Sequence, residues 1–284
     1  MKTLYLLLLV VCFSCAKVNN DIKFKPKFVV EGFIEEGNFP IVKITHNIPI
    51  DYILNEDQLE KLIVRYAKVR VHNSEEEEIL TLIYDKDNFP YFYYTGRKLK
   101  GKAGKSYKLE VIYNNIVLES ETYIPIHKPL ILSSNFKKID DLHIQPILEI
   151  NNNTANANYR FHTKHQGNQQ YTTTSPKGFR GIDEPLNQPK SVALLRNKPI
   201  INMDEDDSHY YKLTDSIDIK VSNVDSTIYA LWMEYAQQSV QFSFLNFSEN
   251  FKGNIKGDGI GIWYGVNAVT ITQSYNQKRQ PTQD

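Results

Sequence analysis

The chain has 284 residues, with 33 Lys or Arg and 33 Asp or Glu, so its formal net charge at pH 7 is zero. This balance excludes the basic excess with which nucleic-acid-binding proteins neutralise phosphates. A hydrophobic content of 41%, with 18 Tyr and 14 Phe, is enough for a packed core and favours strands. The length suits one large domain or two of ordinary size.

The N-terminus has the pattern of a secretory signal. Lys2 supplies a positive charge, residues 4–13 are almost wholly apolar, and Ser14 precedes Cys15. The apolar run is about half of the ~20 residues that a membrane-spanning helix needs. A charged start, a short apolar stretch and a small residue are typical of a cleaved leader. The sequence therefore predicts a signal peptide over residues 1–14 and lipidation at Cys15, with ordinary signal cleavage as the alternative.

The two cysteines of the chain, Cys12 and Cys15, both lie at the end of this leader. Beyond Cys15 the chain has no thiol, so we expect neither an internal disulfide nor a cysteine nucleophile in the mature protein. Any metal site would need His, carboxylate or carbonyl ligands. Residues 15–26 are predicted to form a lipidated, polar tether.

Residues 27–125 show the alternation and turn signals of an antiparallel sheet protein. One segment, 55–66, has apolar residues at helical spacing behind Asn55 and is predicted to form two or three helical turns. Asn114 and Asn115 indicate a hairpin turn. The predicted strands are 28–34, 40–46, 67–72, 79–84, 91–95, 106–113 and 116–124. We expect an N-terminal sandwich of the Ig-like or transthyretin-like kind.

Prolines at 125 and 129 predict a stiff connector to a second β-rich domain over residues 130–273. Its one predicted helix spans 225–238, with Trp232 in an apolar stripe that we expect to be core. The segments 175–190 and 253–265 are predicted to be loop or turn, and residues 274–284 a polar tail. The predicted strands are 144–150, 158–165, 170–174, 192–195, 217–221 and 266–272.

Several segments, in this order, carry a family resemblance. They are the leader, Val30-Glu31-Gly32-Phe33-Ile34, the alternating strand 67–71, the segment 101–110, and the helix around Trp232 followed by 254–261. Together they resemble a lipoprotein family of Bacteroidetes-type Gram-negative bacteria, catalogued as domain of unknown function 4249. The resemblance implies association with TonB-dependent receptors of the outer membrane. It supplies no catalytic residues.

Two groups of side chains are candidate binding residues. Asp204, Asp206 and Asp207 form an acidic cluster that lacks EF-hand spacing. The cluster predicts either calcium ligands or a solvated loop. In a strand, Tyr91 and Tyr93 lie on one face and Phe92 and Tyr94 on the other. One of these faces is core. The Tyr91 and Tyr93 face is therefore either a ligand platform or part of the packing.

No spacing of Ser, His or Gly in the chain indicates a catalytic motif, and a pair of carboxylates would meet only in the fold. We therefore expect an outer-membrane, lipid-anchored protein that acts as a non-enzymatic accessory or ligand-binding partner of a TonB-dependent receptor. The membrane side, periplasm or cell surface, stays open. The alternatives are a structural or adhesive module and a hydrolase whose site is assembled in the fold. A concave pocket with clustered carboxylates would favour the hydrolase.

Overall fold

A computed structural model describes residues 25–48, 56–86, 89–166, 171–196, 208–238, 251 and 253–275. The fold is mostly β, as predicted, with several antiparallel sheets. Its helical elements within these ranges are Glu56–Lys61, Ser226–Gln238 and the 3₁₀ turn Gly181–Asp183. The strands are β1 (Phe28–Glu35), β2 (Ile41–His46), β3 (Lys68–His72), β4 (Glu77–Ile79), β5 (Thr81–Tyr84), β6 (Phe92–Thr95), β7 (Ser106–Tyr113), β8 (Ile116–Tyr123), β9 (Leu130–Lys138), β10 (His143–Asn151), β11 (Asn158–His165), β12 (Thr172–Arg180), β13 (Pro189–Ala193), β14 (Leu195–Arg196), β15 (Tyr211–Lys212), β16 (Ser216–Val224) and β17 (Gly259–Ser274).

The largest sheet has nine strands in the order β14-β12-β11-β16-β17-β1-β2-β6-β5, and we call it the central sheet. It contains strands from both halves of the sequence. β17 pairs with β1 in parallel, from Phe28 opposite Gly259 to Glu35 opposite Val266. The sheet therefore runs across the predicted boundary between residues 27–125 and 130–273.

Two four-stranded sheets cover one face of the central sheet. One has the order β4-β3-β7-β8, and the other has the order β13-β10-β15 with β9 also paired to β10. Because side chains alternate along a strand, every second residue of the central sheet enters these two cores. Val30, Ile34 and Val42 enter the first core, and Phe161 and Ile219 enter the second. The result is two sandwiches, side by side, that share one sheet.

Asparagine side chains attach the connector between the two halves to the central sheet. Asn267 Nδ2 donates to the carbonyls of Pro125 at 2.9 Å and Ile126 at 3.1 Å. Asn223 Nδ2 donates to the His127 carbonyl at 2.8 Å. These bonds satisfy carbonyls that no strand partner reaches, and they hold both halves of the chain on the same sheet.

The predicted helix over 55–66 is wrong in its C-terminal half. The helix ends at Lys61, and Tyr66, predicted in its apolar stripe, is 87% exposed. The reason is competition from the sheet: the Val64 amide donates to the Ile44 carbonyl and the Leu62 carbonyl accepts from His46. Residues 62–64 therefore extend along β2 instead of continuing the helix.

About half of each of the two predicted loops is strand. Within 175–190, β12 continues to Arg180 and β13 begins at Pro189, and within 253–265, β17 begins at Gly259. Gly261 has a φ of 129°, and a Cβ there would lie 1.9 Å from the Val30 carbonyl oxygen. The glycine permits close approach of β17 to β1, so a residue typical of turns lies inside a strand.

Several predicted features lie outside the described residues. They include the leader, Cys15, and the acidic cluster of Asp204, Asp206 and Asp207. In the part of the chain that is described, no helix combines the length and apolar character needed to cross a bilayer.

Candidate functional site

The face of the central sheet opposite the two smaller sheets carries a cleft of about 560 Å³. Side chains from seven strands line it, namely β1, β2, β6, β11, β12, β16 and β17, together with Trp232 of the Ser226–Gln238 helix. The same alternation that sends apolar residues into the two cores sends polar and aromatic residues into this cleft. The cleft is thus a direct product of strand periodicity.

Arg160 of β11 occupies one wall of the cleft and is only 5% exposed. Its guanidinium carbon lies 4.2 Å from the centre of the Trp232 ring and 6.0 Å from that of Tyr264. Burial lowers the Arg160 pKa, whereas Tyr264 raises it through charge and a hydrogen bond. Arginine keeps its proton in such a setting, so the wall carries a fixed cation held against two aromatic rings.

His162 lies beside Arg160, whose Nη2 is 3.2 Å from His162 Nε2. Because a guanidinium only donates, Nε2 accepts this bond and the ring proton is on Nδ1. Burial lowers the pKa of His162 well below 6.5, and the charges of Arg160 and Lys220 lower it further. The neutral ring therefore presents an Nδ1–H that is buried and has no hydrogen-bond partner in the described structure.

Glu31 of β1 also lines the cleft. Burial raises its carboxyl pKa, and the nearby charges of Lys43 and Arg160 oppose this rise. Its oxygens are hydrogen-bond acceptors. The cleft thus combines an acceptor group on Glu31 with the Nδ1–H of His162, which has no partner among the described residues.

A salt bridge crosses β17 beneath the cleft. Lys220 Nζ on β16 lies 2.5 Å from Glu35 Oε2 on β1, and both side chains are mostly buried. The same ammonium lies 5.5 Å from the centre of the Tyr171 ring. Lys220 and Glu35 therefore compensate each other, and their pairing fixes two of the cleft's charges in place.

The structure separates the two tyrosines of the predicted platform. Tyr93 lines the cleft, whereas the Tyr91 ring packs edge-on against Phe89 with their centres 5.6 Å apart. Tyr94 lies on the opposite face, in the first core, where its hydroxyl oxygen is 2.7 Å from the Arg65 carbonyl oxygen and 3.0 Å from that of Val64, and its one proton is shared between them. Tyr93 is thus the member of the pair that a cleft ligand would meet.

The charges that line the cleft are balanced. Its cations are Lys43, Arg160 and Lys220, and its carboxylates are Glu31, Glu35 and Asp85. The described residues contain no group of three His, Cys, Asp or Glu that would hold a metal ion. The cleft can therefore offer hydrogen bonds and aromatic surface to a ligand without a net charge of its own.

Sequence reasoning did not single out Glu31, Arg160 or Lys220 as site residues. The signal was present in part, because Arg160 and His162 alternate with the buried Tyr159 and Phe161 along β11. Such alternation predicts a polar face, which is common on strands. It does not predict that this face meets the carboxylates of β1.

Comparison with known proteins gives one family. The family model described as Domain of unknown function (DUF4249) matches residues 16–272. No curated protein matches the chain.

Proposed function

Because the chain belongs to the DUF4249 family, we propose that it is a lipid-anchored accessory protein that binds a ligand beside a TonB-dependent receptor of the outer membrane. The cleft on the central sheet is the observation that carries the ligand-binding role, because it combines aromatic walls with a donor on His162 that has no partner among the described residues and with the carboxylate of Glu31. The Ser14-Cys15 leader and the family resemblance support the anchoring and the partner.

Membrane anchoring gives this arrangement a physical advantage. Several acyl chains on one lipoprotein hold it firmly at a bilayer surface. Two proteins confined to one membrane meet at a high effective concentration, so a modest interface keeps them associated. A ligand held in the cleft would then be kept next to the receptor without any chemistry on the ligand.

Purification from the native membrane tests this proposal. The full-length protein is extracted in mild detergent and its companions are identified by mass spectrometry, with Cys15→Ala as the matched unanchored variant. We expect a TonB-dependent receptor to accompany the wild-type protein and to be depleted with Cys15→Ala. Purification of the wild-type protein as a lone species would contradict the partnership.

A hydrolase is the second candidate, because the pocket is concave and contains carboxylates. Burial raises the pKa of Glu31, which is the direction in which enzymes adjust a carboxyl group that acts as a general acid. The other carboxylates that line the cleft are Asp85 and Glu35, and Glu35 is paired with Lys220. Turnover of a glycan, ester or peptide that is abolished by Glu31→Gln would establish this candidate in place of the first.

A further inference from the structure

We propose that the ligand of the cleft is a neutral, hydroxyl-rich molecule, namely a short segment of an uncharged oligosaccharide. This inference rests on the proposed ligand-binding role and names the chemical class of the ligand. The volume of the cleft, about 560 Å³, lies within the roughly 300–1,000 Å³ range of small-ligand pockets. It therefore has room for more than a single small metabolite.

The charges of the cleft argue against a charged ligand. A ligand charge that leaves water needs an uncommitted counter-charge in the site. Lys220 is committed to Glu35 at 2.5 Å. Arg160 lies against Trp232 and donates to His162. With cations and carboxylates balanced among the lining residues, an uncharged ligand is the one that the cleft can enclose without leaving a charge uncompensated.

Two hydrogen-bonding groups of the cleft match hydroxyls. His162 Nδ1–H lacks an acceptor among the described residues, and the Glu31 carboxylate that lines the cleft accepts donors. A hydroxyl group both donates and accepts, so neighbouring hydroxyls of one sugar can serve both groups. A ligand with acceptors alone, such as a phosphate, would satisfy His162 but would be repelled by Glu31.

The position of the cleft distinguishes a sugar from a peptide. Extended peptides are commonly bound by adding a strand to a sheet edge, where main-chain hydrogen bonds supply the affinity. The cleft lies on the face of the central sheet, over β1, β16 and β17, whose main-chain groups are used by their neighbours in the sheet. Recognition here must come from side chains, with Tyr93 supplying an aromatic surface for the apolar face of a sugar ring.

Tryptophan fluorescence tests the inference, because the chain has two tryptophans in different surroundings. Trp232 lines the cleft, whereas Trp263 is fully buried in the first core. The detergent-extracted protein is first screened on a broad array of neutral glycans. The best binder is then titrated while emission is recorded. We expect a saturable change that disappears in Trp232→Phe.

Paired variants locate the binding site. Tyr93→Ala should weaken binding at least tenfold, and Tyr66→Ala, which alters an exposed tyrosine outside the cleft, should leave it unchanged. Glu31→Gln should also weaken binding, and Glu121→Gln on the exposed side of β8 is its control. Binding that resists Tyr93→Ala and Glu31→Gln would place the sugar elsewhere and overturn the inference.

The remaining outcomes separate this inference from the proposed function. If a receptor co-purifies but no neutral glycan on the array binds, the carbohydrate inference fails and the accessory role stands. If a glycan binds in the cleft but the protein purifies alone, the receptor partnership fails and the inference stands. Binding of acidic or basic peptides, with neutral glycans inert, would show a charged ligand and overturn the inference.

Discussion

The guanidinium carbon of Arg160 lies 4.2 Å from the centre of the Trp232 ring, and this contact joins β11 of the central sheet to the Ser226–Gln238 helix. Trp232 also meets Tyr264 of β17 edge-on, with ring centres 5.6 Å apart. The sequence had led us to expect the indole in a core. It is instead half-buried at the cleft and is not enclosed in a core. Among the stripe residues whose side chains the structure describes, Ile228, at 3% exposed, is the one that is enclosed.

Trp232→Ala should therefore cost about 2 kcal/mol of the free energy of unfolding, the range of a desolvated cation–π contact. The loss leaves Arg160 buried without its aromatic partner. Trp232→Phe keeps a ring and should cost less. Urea denaturation of both variants measures the difference, and equal losses would mean that the aromatic contact contributes nothing.

Trp263→Ala should be more damaging, at about 3–5 kcal/mol, because this side chain is fully enclosed. Its Nε1 also donates to the Tyr107 carbonyl at 3.0 Å, which ties β17 to β7. The same urea series compares it with Trp232→Ala. A smaller loss for Trp263→Ala than for Trp232→Ala would contradict the assignment of Trp263 to the core.

Gly261→Ala should destabilise the fold by more than about 3 kcal/mol, because a positive φ and a backbone collision act together. The added Cβ would lie 1.9 Å from the Val30 carbonyl oxygen. Gly37→Ala is the matched control: Gly37 has a φ of 79° but no atom within 4 Å of the added Cβ. It should cost only about 1–2 kcal/mol. Thermal denaturation checks both, and similar losses would exclude the close approach of β17 to β1.

His162 should make the fold less stable as the pH falls below 6.5. Its pKa is lowered in the folded state by burial and by Arg160 and Lys220, so below pH 6.5 the unfolded chain binds a proton that the folded chain does not. The slope approaches about 1.4 kcal/mol per pH unit.

His162→Gln removes this titration, so its melting temperature should fall less than that of the wild-type protein between pH 7.5 and pH 5.0. His46, whose pKa burial also lowers, is present in both proteins and cancels in the comparison. Equal decreases in the two proteins would show that His162 takes up its proton normally in the fold.

Cys15→Ala should move the protein from the membrane fraction to the soluble fraction without changing its melting temperature, because the lipid is the proposed anchor and the fold has its own cores. Fractionation and intact-mass spectrometry check this prediction. A native mass without lipid, with an N-terminus downstream of Cys15, would contradict lipidation.

Features that depend on neighbouring residues were predictable from the sequence. Alternation in β1 and β7 indicated strands, because side-chain direction reverses at each residue. The turn at Asn114, with a φ of 52°, joins β7 and β8 as predicted from its residue type. The Ser226–Gln238 helix follows from its local apolar period.

Features that depend on distant segments were decided by the tertiary structure. The parallel pairing of Phe28 with Gly259 joins opposite ends of the chain, and no local pattern specifies which strand another will meet. The Lys220–Glu35 salt bridge and the Arg160–Trp232 contact exist because that pairing brings β1, β16 and β11 into one sheet. The sequence by itself therefore determined many of the strands, the Ser226–Gln238 helix and the family resemblance. The cleft was decided by long-range pairing, since its walls come from segments that only the folded sheet places side by side.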